Sequence, residues 1–170
     1  MALETVHARD LKTVSDSMSD GANLHRINFD FVAGRGVNAV GTDKTARIEW
    51  STDVSASLSR AQKEHKPLVV VFTEDYCGWC KVFKGELEKP AMNAVANDAV
   101  FLRVAPSKDP KAKHLADLCK VEGYPTISIL SVENGKITPV SKVSGYMESN
   151  KFIAHLRGTI ASIDNKKKAS

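Results

Sequence analysis

A chain of 170 residues with 42% hydrophobic residues can build one core of ordinary size, which suits a single domain with an appendage. Its formal net charge of +4 is modest, and the cations are spread along the chain without interleaved aromatics, which argues against a nucleic-acid surface. Three cysteines do not make the even, dense framework of a small disulfide-stapled scaffold, and no apolar stretch approaches a membrane span, so no direct membrane insertion is expected.

Residues 1–45 read as a polar N-terminal extension, with Ser15, Ser17, Ser19 and Gly21 as a flexible lead. Within it, Ile27, Phe29 and Phe31 alternate with polar residues at the period of a half-buried strand, which Gly34 and Gly36 end. Ile48 and Trp50 share one face of a second short alternation that is a candidate partner for the first. From Ser51-Thr52-Asp53, a cap cluster, Val54, Leu58 and Ala61 recur at helical spacing until Lys66-Pro67 stops the helix. Leu68 to Phe72 is a continuous apolar, β-branched run, the pattern of a central strand covered on both faces.

A helix is predicted after Cys77, with Cys80, Val82, Phe83 and Leu87 inward and Pro90 as its interruption; helical pattern resumes over 91–97. A second strand is expected over 100–104 and a helix over 111–120 with Leu115 and Leu118 inward. Strands over 126–130 and 137–143 are joined through Glu133-Asn134-Gly135, a hairpin signal. The last helix begins near Ser149 and carries Phe152, Ile153, Leu156, Ile160 and Ile163 as a core-facing stripe. Residues 46–165 thus form one domain, and Lys166-Lys167-Lys168 begins a basic tail, 166–170, expected to be frayed and solvated. The element order describes an α/β fold: a central mixed β-sheet, parallel first and antiparallel at its end, with helices on both faces.

Between the buried strand and the helix stands Cys77-Gly78-Trp79-Cys80. Two thiols so spaced can close and reopen a disulfide without moving the fold, which points to redox chemistry. At a helix N-terminus the unpaired amides and the dipole favour a thiolate, making Cys77 the candidate nucleophile. Cys80, one turn further in, is the candidate resolving thiol. A zinc site would need Cys119 and a histidine from distant segments, and the thiols precede a helix rather than forming a knuckle between strands, so no metal and no cofactor are expected. Cys119 itself reads as a small buried hydrophobe.

With Gly123-Tyr124-Pro125-Thr126 as a second element, the chain over about residues 48–163 resembles the thioredoxin superfamily, most of all bacterial thioredoxin-like proteins related to the reducing domains of thiol:disulfide interchange proteins. The resemblance implies a thioredoxin fold and a thiol-disulfide oxidoreductase acting on protein disulfides, in the reducing direction. It implies that Pro125 is a cis-proline presenting the backbone of Tyr124 to a substrate strand, and that Gly145 keeps the substrate groove open. Trp79 and Tyr76 would supply apolar contact around Cys77. The acidic residue that thioredoxin proper buries in its central strand is here Val71; Glu74 is the nearest candidate proton acceptor, and with Asp75 it should oppose thiolate formation at Cys77. A solvated surface position is the competing reading of Glu74.

The expected partners are proteins carrying disulfides or thiols and an electron-donor protein, which a periplasmic reductase would find in the membrane. Met1-Ala2-Leu3-Glu4-Thr5 lacks a signal peptide's charged start and apolar core, which at face value indicates the cytoplasm. The long polar lead and the resemblance favour a periplasmic protein whose signal has been removed. The rival from another class is a binding module that presents Tyr124 and Trp79 while the cysteines matter little.

Overall fold

The computed structural model describes residues 46–169; the expected extension over 1–45, with the alternation at Ile27, Phe29 and Phe31, lies outside them. Among the described residues five strands form one sheet in the order β1-β3-β2-β4-β5. The strands are β1 (Trp50–Ser51), β2 (Leu68–Phe72), β3 (Val100–Val104), β4 (Thr126–Glu133) and β5 (Lys136–Ser144). Around them lie α1 (Val54–Glu64), α2 (Gly78–Leu87), α3 (Pro110–Leu118), α4 (Ser149–Ala169) and a 3-10 helix at Pro90–Val95.

Strand β2 is central because every one of its side chains is apolar and can be covered on either face; all five are fully buried. It runs parallel to β3, with Leu68 opposite Val100, and antiparallel to β4, with Phe72 opposite Thr126. Alternate residues of β2 feed two cores. Leu68, Val70 and Phe72 pack with Val54 and Ala61 of α1 and Leu115 of α3. Val69 and Val71 pack on the other face with Phe83 and Leu87 of α2 and Phe152 and Leu156 of α4. Full burial of a Phe or Leu side chain favours folding by about 1.5–3 kcal/mol, and the large side chains at Phe72, Phe83, Phe101 and Phe152 are all buried this way.

The helix boundaries follow their caps. Asp53 Oδ1 accepts from Ala56 N–H at 2.9 Å to open α1, and His65, in the left-handed region at φ 53°, closes it just before Pro67. Asn134 and Gly135 both take positive φ, 51° and 76°, the conformation a tight hairpin between β4 and β5 requires.

Four local expectations are corrected. The segment around Ile48 and Trp50 forms only a two-residue strand, Trp50–Ser51, set against β3 with Trp50 opposite Phe101, while its expected partner at Ile27, Phe29 and Phe31 lies outside the described residues. Val82 and Leu118 point outward, 53% and 40% exposed. Lys166-Lys167-Lys168 is not frayed: it is the last turn of α4, whose C-terminal end favours cations, and Lys167 pairs with Glu133 at 2.8 Å.

Candidate active site

The chain leaves β2 at Phe72 and is held at once to the neighbouring strand, Thr73 N–H donating to Val104 O at 2.9 Å. A turn closed by Cys77 N–H on Glu74 O at 3.1 Å then delivers Cys77 to the start of α2. Cys77 is the N-cap residue: its backbone is extended, and its Sγ accepts from Cys80 N–H at 3.1 Å, taking up one of the amides that a helix start leaves unpaired. Cys77 and Cys80 are joined as a disulfide, with their Cα atoms 5.2 Å apart. Cys80 lies on the inner face of α2 with Phe83 and Leu87.

The Tyr124–Pro125 loop reaches the same end of the sheet, because β4 begins where β2 stops. The Tyr124–Pro125 peptide is cis. Thr126 Oγ1 donates to Gly123 O, and Gly145 N–H donates to Pro125 O, each at 2.7 Å. Gly145 sits at φ 96°, which a residue with a Cβ rarely adopts, and so lets the chain turn out of β5 beside the proline. Tyr124 stands before the first ladder pair of β4, so its N–H and C=O lie off the sheet's hydrogen-bond ladder. Its ring packs against the core on the α1 and α3 face. Burial pushes the Tyr124 phenol up from its ordinary value, with Glu74, Tyr76 and Asp117 adding to the rise.

The expected contact residues Tyr76 and Trp79 flank Cys77 in the chain. Tyr76 and Trp79 are 80% and 66% exposed, unusual for such large apolar rings. Outward-facing Val82 stands one turn beyond Trp79. A residue that sequence reasoning missed joins Trp79: Tyr146, just after Gly145, lies 6.2 Å from both the Trp79 and Phe83 ring centroids. The Tyr146 phenol is pushed up from its ordinary value, first by burial and then by its interaction with the Glu86 carboxylate. Glu86 accepts from Lys89 Nζ at 2.6 Å and from Ser149 N–H at 3.0 Å, the first amide of α4. Together these donors, Lys89 foremost, lower its pKa from 4.5 to about 2. Adjacency to Gly145 was the one signal that could have pointed to Tyr146.

Glu74 is not a solvated surface residue. It is buried, and both carboxylate oxygens are taken up by Ser107: Oε1 accepts from the backbone N–H at 2.8 Å and Oε2 from the hydroxyl. Asp75, its neighbour, is exposed and pairs with Lys108 at 2.5 Å. Cys119 is free and buried, and burial raises its thiol pKa. Among the described residues no group of three or more His, Cys, Asp or Glu side chains gathers to hold a metal ion. The arrangement therefore offers a dithiol/disulfide couple at a helix start, an adjacent main-chain segment open to pairing, and exposed apolar rings.

Residues 54–159 match the family model described as a thioredoxin-like domain. Over 98 residues the chain is 32% identical to the thiol:disulfide interchange protein DsbD of Photorhabdus laumondii, covering 56% of this chain and 17% of that protein. Over 107 residues it is 29% identical to a protein disulfide-isomerase of Hordeum vulgare, covering 62% of this chain and 20% of that one. The chain thus spans a fifth or less of the length of these relatives. Among solved structures, the C-terminal domain of Neisseria meningitidis DsbD in its reduced form superposes with a TM-score of 0.53 at 21% identity, covering 65% of this chain and 99% of that one. A Thermus thermophilus thioredoxin does so with a TM-score of 0.57 at 23% identity, covering 65% and 85%. The sheet order, the paired cysteines and the family match agree, and the chain belongs to the thioredoxin-like domain family.

Proposed function

We propose that the domain reduces disulfides in protein substrates, with Cys77 as nucleophile and Cys80 as resolving thiol. The observation that carries this reading is the placement of the Cys77 sulfur on the first amides of α2, at 3.1 Å from Cys80 N–H, where a thiolate finds a hydrogen-bond donor and the positive end of the helix. In the reduced enzyme the Cys77 thiolate attacks one sulfur of the substrate disulfide, forming a mixed disulfide and expelling a substrate thiolate. The Cys80 thiolate then attacks the Cys77 sulfur, forming the Cys77–Cys80 disulfide and releasing the second substrate thiolate. Two electrons pass to the substrate, and a donor dithiol protein returns the couple to its reduced form.

A substrate strand would pair with the main chain of Tyr124 ahead of Pro125, while Trp79 and Tyr76 contact its side chains and Gly145 leaves it room. The DsbD likeness supports a periplasmic setting and a membrane-bound dithiol donor. Among the described residues no helix is long and apolar enough to cross a membrane.

The test is a trapping experiment with a potential measurement. Cys80→Ser should accumulate a mixed disulfide between Cys77 and a substrate, and Cys77→Ser should abolish turnover. Equilibration with glutathione should give a potential near thioredoxin's, about −270 mV; a value near about −120 mV would make the domain an oxidant. A Cys77→Ser variant with full function would mean a binding module instead.

A further inference from the structure

The loop that carries Cys77 is fastened to a segment 33 residues away at two points, Glu74 to Ser107 and Asp75 to Lys108. The two fastenings differ in kind. Asp75 and Lys108 are both mostly exposed, so their charges neutralise each other in water. Glu74 is buried, and neither it nor Ser107 brings a positive charge to the pair. Its main-chain oxygen accepts from Cys77 N–H, so the residue holds the nucleophile's backbone while keeping a carboxylate three positions before it.

Resting on the reductase reading, we propose that Glu74, locked by Ser107, is a positioning residue that keeps a carboxylate in the turn carrying Cys77 and holds the couple to the reducing side. A buried like charge disfavours the Cys77 thiolate. The reduced form of a dithiol gains stability from thiolate formation, as strongly oxidising members of this chemistry show, so opposing the thiolate lowers the potential.

The groups around this carboxylate come from several segments. Ser107 donates from the loop after β3. The Tyr124 phenol, before the cis-proline, feels the Glu74 charge together with those of Tyr76 and of Asp117 in α3. Lys108, the cation of the adjoining segment, is engaged by Asp75.

The test compares the reduced wild-type chain with Glu74→Gln, which keeps the size and can still accept from Ser107 N–H. Alkylation of Cys77 by iodoacetamide is followed against pH, with the modified peptide identified by mass spectrometry, and the couple is equilibrated with glutathione. In Glu74→Gln the alkylation midpoint should move to lower pH, raising the thiolate fraction at neutral pH about threefold to tenfold. Measured at a pH above both alkylation midpoints, the potential should become less negative by up to about 30 mV for a tenfold change in the thiol's acidity. Ser107→Ala, which frees the carboxylate to turn toward water, should move both in the same direction by a smaller step. Glu74→Ala provides the charge deletion should the glutamine variant fold poorly. An unmoved or oppositely moved midpoint with only a lower melting temperature would reduce Glu74 to a structural anchor. Both readouts are taken without substrate, so loss of the reductase reading would show separately, as absent turnover with the midpoint still shifted.

Discussion

Tyr146 and Trp79 lie with their ring centroids 6.2 Å apart at an interplanar angle of 51°, a tilted pair joining the loop after β5 to the first turn of α2. One ring comes from beside the thiols and the other from beside the cis-proline's hydrogen-bond partner, Gly145, so the pair ties the two halves of the site together.

Replacing this ring should therefore be felt in binding. Tyr146→Ala is expected to raise KM for a protein disulfide about threefold to tenfold, the equivalent of losing one aromatic contact, with a smaller change in kcat. Tyr146→Phe, which keeps the ring and loses only the hydroxyl, should leave KM close to wild type. Steady-state kinetics on both variants checks this.

Glu86 makes a pH prediction. Its folded pKa, about 2, lies below its ordinary 4.5, with Lys89 the largest cause, then Ser149 N–H. A depressed acid protects the fold above the unfolded value and loses that protection as pH falls through the folded one. Stability should decline between about pH 4.5 and 2, and Glu86→Gln should flatten that part of the profile, measured as melting temperature against pH.

Asp53→Ala removes the side-chain cap on Ala56 N–H and should cost about 1 kcal/mol in denaturant unfolding.

Phe83→Ala should cost about 3–5 kcal/mol in the same assay, since its fully buried ring fills the space between α2, the sheet and Tyr146. Leu118→Ala, at an outward position, should cost less than about 1 kcal/mol.

The contrast between those two residues shows what the sequence made legible. Apolar runs report burial well where nothing competes for exposure, as in Leu68 to Phe72, and cap and turn residues such as Asp53 and Asn134-Gly135 act locally and are read locally. Helical spacing placed Phe83 and Leu87 correctly. Val82 was misplaced because α2 is apolar on two sides: one faces the core, the other joins Trp79 on the open surface. The Cys-Gly-Trp-Cys and Tyr-Pro elements were visible because each acts within four residues. Glu74 was ambiguous because its burial depends on Ser107, 33 positions away, and no local pattern announces such a pair. Tyr146 was missed for the same reason: Glu86 and Trp79 reach it only through the folded loop.

The two flanks of the sheet have a consequence for how the molecule meets other chains. On one flank β1 is only two residues long. On the other, β5 carries Lys136, Pro139 and Lys142 and is displaced in register between Ile129 and Leu130 of its partner. Short, charged, proline-interrupted margins resist growth into intermolecular sheets and fibrils. Under the proposed reading, in which a substrate strand pairs with Tyr124, such margins discourage lasting strand exchange and leave Tyr124 for a brief one.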